Sequence, residues 1–95
     1  MNRAKSLAKE LRNIGPKLAE KMIEVGIDSP KKLRTMGAIR SFEAMYPDGD
    51  SYGDFNAAYL YALEGAIRDC DSANLPEKTK TNLKEYAQKR QNTKR

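Results

Sequence analysis

Leu11-Arg12-Asn13-Ile14-Gly15-Pro16-Lys17-Leu18-Ala19-Glu20-Lys21-Met22-Ile23-Glu24-Val25-Gly26-Ile27 is the stretch whose reading decides the fold. It reads as the end of one helix, a turn of two or three residues, and the start of another helix. Asn13 and Gly15 are residue types that tolerate the positive φ of a tight turn. Pro16 then stands at the first helical position, where a missing N–H costs nothing. From there Leu18, Ala19, Met22, Ile23 and Val25 give one apolar face at three- and four-residue steps. Gly26 closes the helix as a glycine just past the last turn does.

The pattern L-x-x-I-G-x-x-x-A-x-x-M resembles a helix-hairpin-helix unit, a motif that binds nucleic acid without sequence preference and also serves as a protein-docking module. The chemistry of the first use is plain. A helix N-terminus leaves N–H groups unpaired and carries roughly half a positive charge. Here Gly15, Lys17 and Leu18 supply the donors. Lys17 and Lys21 stand four apart on one face beside them, with Arg12 and Asn13 flanking. The plainer reading is an αα-hairpin whose glycine permits close packing.

Upstream, Ser6 is a candidate N-cap for a first helix over Leu7, Ala8 and Leu11. Downstream, Ser29 and Pro30 read as the cap and first residue of a short third helix with Leu33 and Met36 inward. A fourth is expected over Ala38–Met45, with Ile39, Phe42, Met45 and Tyr46 as its apolar stripe. Tyr46 to Asp54 is a loop by composition. Asp48, Asp50 and Gly53 echo a calcium loop faintly, but Tyr52 and Tyr59 fall where ligands belong. No metal site follows, and Asp54 reads instead as the next N-cap.

The segment from Phe55 to about Asp69 is apolar nearly all round, the pattern of a central helix packed by several neighbours. Gly65 inside it predicts the close approach of another helix, and Glu64 sits either at a wet edge or buried against a partner such as an arginine. The last helix is expected over Pro76–Gln88, with Leu83, Tyr86 and Ala87 inward. Every periodic stretch is helical, so the chain reads as all-α: a compact bundle of five or six short helices in one domain, residues 1–88. Lys89 to Arg95 has no apolar residue and reads as a basic disordered tail.

Composition narrows the function. The chain of 95 residues has no histidine, which excludes His-based acid–base chemistry, His-activated nucleophiles and His metal sites. Its single cysteine, Cys70, forms no internal disulfide, which favours a reducing compartment, and packing is its simplest role. No stretch is long and apolar enough to span a membrane. The net charge of +5 is uneven: residues 1–12 carry +3, residues 13–73 carry −3 and residues 74–95 carry +5. Basic ends suit a nucleic acid and suit solvent equally well.

Three segments in order resemble the C-terminal domain of TfoX (Sxy), a family of bacterial regulators of DNA-uptake competence. They are Leu11 to Lys21, then Val25 to Pro30 with Leu33 and Met36-Gly37-Ala38, then Leu60-Tyr61-Ala62-Leu63-Glu64-Gly65-Ala66-Ile67 followed by Leu75-Pro76. The resemblance covers residues 6–87. It implies a cytoplasmic helical domain that takes part in transcriptional activation, with no enzymatic activity, cofactor or small-molecule substrate. Two mechanisms remain open at this level. The hairpin holds duplex DNA by its phosphates, or the domain docks on a protein of the transcription machinery.

Overall fold

The computed structural model describes residues 3–49, 53 and 55–94. Among these residues six α-helices follow one another: α1 (Arg3–Glu10), α2 (Pro16–Glu24), α3 (Pro30–Met36), α4 (Ala38–Met45), α5 (Ala57–Arg68) and α6 (Glu77–Lys94), with a 3₁₀ turn at Ser72–Asn74 before the last. Among the described residues there is no strand.

The first helix begins earlier than Ser6 would have capped it. Ala4 and Leu7 on α1 are buried, and Leu11 beyond it continues the same row, so the extra turn adds apolar burial that a cap at Ser6 would forgo. Arg3 donates to the Asp28 carbonyl at 2.6 Å and ties this end to the connector after α2. Helix α2 starts at Pro16 as expected, and Ala19 and Met22 are fully buried. It ends at Glu24, where Gly26 adopts φ 89° and Ile27 N–H reaches back to the Met22 carbonyl at 2.9 Å. Val25 therefore leaves the apolar face and is 37% exposed, while Ile27 enters the core.

The Ser29 cap forms as read: its hydroxyl accepts the Lys32 N–H at 3.2 Å. Lys32 also pairs with Asp28 at 3.0 Å, and the hydrogen bond it donates holds that carboxyl below its ordinary value. Gly37, at φ 83°, lets two helices meet at one residue. Its N–H closes α3 onto Leu33 and its carbonyl accepts Ser41 N–H to open α4. The buried row of α4 is Ala38, Ser41, Phe42 and Met45. Ile39, assigned inward from hydropathy, faces solvent because the row through Phe42 and Met45 passes through Ala38 and Ser41 instead.

Helix α5 packs against α3, α4, α6 and the 3₁₀ turn, with Leu60 and Leu63 wholly buried, as a helix apolar on several sides requires. Half of α4 is buried as well, so the two share the centre. Asn56, whose side chain accepts Ala58 N–H at 2.8 Å, caps α5; Asp54, expected there, lies outside the described residues. Phe55 stays out of the helix and donates its N–H to the Gln91 side chain at 2.8 Å. That bond corrects the disordered tail. Helix α6 runs through to Lys94, and Arg90 lies over the Phe55 ring at 5.0 Å. The residues beyond Gln88 have no apolar side chains, but they hold the mouth of the loop through polar and cation–π contacts. Glu64 falls between the two alternatives: it stands at the surface of α5, part-covered, and is paired with Arg68 at 2.6 Å.

Asp48 has no metal-binding cluster around it among the described residues. Asp50 and Tyr52 of the same loop lie outside them, and Tyr59, at the twelfth position, belongs to an aromatic group with Phe42 and Tyr46. No helix among the described residues is long and apolar enough to cross a membrane.

Candidate nucleic-acid interface

The turn between α1 and α2 is built around one left-handed residue, Asn13 at φ 69°. Gly15 is extended, φ −85° and ψ 171°, and serves as the N-cap of α2. An Asn in this region is tolerated because its short amide can bond locally. Here it bonds across the fold. The Asn13 side chain donates to the Cys70 carbonyl at 2.9 Å and accepts the Ser72 N–H at 3.2 Å. The amide thus spans the unpaired carbonyl and N–H at the end of α5, where Asp69 turns left-handed at φ 56°.

Gly65 explains why so short a reach suffices. A Cβ there would fall on the Asn13 amide and lie 2.8 Å from the Cys70 carbonyl oxygen and 3.2 Å from Ser72 N. The close approach expected at Gly65 is real. What comes close is the hairpin's asparagine and the chain leaving α5, where a helix backbone was expected. Cys70 is half-buried at this junction, and its backbone takes part: its N–H bonds the Gly65 carbonyl at 2.9 Å.

The five residues assigned to nucleic-acid contact therefore divide. Asn13 is committed to the clamp on α5. Arg12 lies 3.5 Å from Asp69, with both side chains more than half exposed, a pairing weak enough for another anion to displace. Gly15 and Lys17 are exposed. Lys21 is half-buried, its ammonium 5.7 Å from the centroid of the Tyr46 ring.

The start of α2 is bare. It has no side-chain cap and no acidic residue in its first turn. The first intrahelical bond runs from Ala19 N–H to the Gly15 carbonyl, so the N–H groups of Lys17 and Leu18 precede it and find no acceptor among the described residues. In front of them opens a cleft of about 520 Å³, bounded on one side by the hairpin from Asn13 to Leu18 and on the other by Tyr46, Tyr59 and Ala62. The two tyrosine rings are stacked, 5.5 Å apart and 10° from parallel. Sequence reading placed both among apolar helix faces; only the pairing of α4 with α5 brings them to the hairpin.

The sequence pattern of the TfoX C-terminal domain matches residues 4–87. Two crystal structures of Listeria monocytogenes proteins, one described as uncharacterised and one as of unknown function, in a triclinic and a tetragonal form, are 33% identical to the chain with a TM-score of 0.77. They cover 85% of it and 89% and 95% of their own lengths. No curated protein matches.

Proposed function

The chain belongs to the TfoX C-terminal domain family, and from that premise we propose that it is a non-enzymatic regulatory module that holds DNA by its backbone through the α1–α2 hairpin. Gly15 carries this reading. Its φ is negative, so the turn does not demand glycine, and a Cβ there would meet nothing within 4 Å, so packing does not demand it either. Glycine is an adequate N-cap, but Ser, Asp or Asn does that work better. What the missing side chain does provide is open access to the N–H groups of Lys17 and Leu18, with the exposed Lys17 side chain on the same turn. A phosphate oxygen fits that arrangement through charge-assisted bonds and the helix dipole.

Contact of this kind reads no base edge, so affinity is nearly independent of sequence and falls steeply with salt. The test is an anisotropy titration of duplex DNA at several salt concentrations. Changing Lys17 and Lys21 together to glutamine is expected to weaken binding for every sequence and to lower the log–log salt slope by about two, or by about one if Lys21 remains on Tyr46. Gly15→Asp is the sharper variant, because an aspartate caps the helix and so preserves or raises stability while placing a negative charge where the phosphate would sit. A Gly15→Asp protein that melts normally and still binds DNA as the wild type does would refute the phosphate model. Docking on a protein of the transcription machinery, by contacts that need not respond to salt, would then be the better account.

A further inference from the structure

The surface behind the hairpin's cations is apolar. The cleft is floored by Leu18, Ala62 and the stacked rings of Tyr46 and Tyr59, and none of the described residues lining it is acidic. A phosphate held at the end of α2 needs no such floor. Duplex DNA would leave it empty, because a duplex turns phosphate and sugar outward and keeps its bases in the stack. A single strand has bases free to swing out, and aromatic side chains hold them whatever the base, since every base has a π-face.

Resting on the phosphate-binding reading, we propose that the hairpin's preferred ligand is single-stranded DNA, with one base in the cleft against Tyr46 and Tyr59 and an adjoining phosphate at the N–H groups of Lys17 and Leu18. The cleft, about 520 Å³, lies within the roughly 300–1,000 Å³ of ordinary ligand pockets. Lys21 suits both states. Without ligand its ammonium stands over the Tyr46 ring, 5.7 Å from the centroid, drawn by the negative face of the π-system. An entering base takes that face, and the long lysine side chain turns to the strand's phosphate, so no charge is left unpaired.

The probes are a short oligothymidylate, an abasic sugar–phosphate oligomer of equal length and charge, and a duplex, each titrated by anisotropy against the whole chain. The oligothymidylate should bind at least about five-fold more tightly than the abasic oligomer, the lower end of what one base–aromatic stack contributes. Tyr46→Leu should abolish that difference without abolishing duplex binding, because the N–H groups of Lys17 and Leu18 remain in place. Because Tyr46 also packs on Phe42, circular dichroism checks the variant's fold, and the wild-type comparison of the two single strands needs no variant. Equal affinity for those two strands overturns the base-binding cleft while the phosphate reading stands. If none of the three probes binds at low salt, the phosphate reading fails and the cleft proposal fails with it.

Discussion

Replacing Gly65 by alanine sets two opposed effects against each other, and the structure says which wins. In an exposed helix interior the change would stabilise by about 1 kcal/mol, because alanine loses less backbone entropy on folding. At this position the new methyl meets the Asn13 amide and comes within 2.8 Å of the Cys70 carbonyl oxygen. Overpacking of that kind typically costs ~1–3 kcal/mol. The amide is the softer neighbour, but it cannot move aside without giving up its bonds to Cys70 and Ser72. Each is worth roughly 0.5–1.5 kcal/mol, with the lower end apt for groups near solvent. The balance is a net loss of about 2 kcal/mol, and a domain of this size melts some 4–8 °C lower for each kcal/mol.

Asn13→Gly separates the parts. Glycine accepts the left-handed backbone and removes the amide, leaving only the Cys70 and Ser72 backbone for the methyl to meet. Gly65→Ala should therefore cost about 1 kcal/mol less in the Asn13→Gly background, a coupling in the range seen for residues in contact. Urea unfolding of the four proteins measures it. A melting temperature that rises with Gly65→Ala alone would refute the clamp, since only the helix-propensity effect would then remain.

Deleting Lys89 to Arg95 removes the Gln91 acceptor of Phe55 N–H and the Arg90 guanidinium over the Phe55 ring; a loss of about 1–2 kcal/mol in urea unfolding is expected, where a disordered tail would give none. Tyr86 is the pH probe: burial, then the Glu43 carboxylate it donates to, push its hydroxyl up to about 12. The folded value lies above the ordinary one of about 10, so its stabilisation is intact below pH 10 and is lost as pH rises towards 12. Tyr86→Phe should lower stability at neutral pH and flatten this alkaline decline; an unchanged decline would assign it to other groups.

The fold was legible because its helix signals are local. Ser29 followed by Pro30, Pro16 after a glycine, and the residues around Gly37 each act within one turn of chain, and each forms where the sequence placed it. Errors came where distance in sequence mattered. Nothing near Ser6 reveals that Ala4 will be covered, and nothing after Gln88 reveals that Phe55 will need an acceptor from Gln91, 36 residues away. Ile39 was misplaced for a different reason: hydropathy ranks it above Ser41, but the helical row is set by Ala38, Phe42 and Met45.

The hairpin shows how one residue type can carry two unlike meanings. Asn13 reads locally as a turn former, and it is one, at φ 69°. Its side chain meanwhile closes a junction 57 residues along the chain, and that junction is what forbids a side chain at Gly65. Gly15, two residues on, is under neither constraint. A glycine required by φ or by packing is fixed from inside the molecule, whereas Gly15, with open space and an ordinary φ, is held only by its place as the N-cap of α2 and leaves room for a ligand. That distinction underlies the proposal that the hairpin is a binding surface. It is also why Gly15 and Gly65, alike in sequence, should respond oppositely to substitution: Gly65→Ala should cost stability, and Gly15→Asp should cost binding alone.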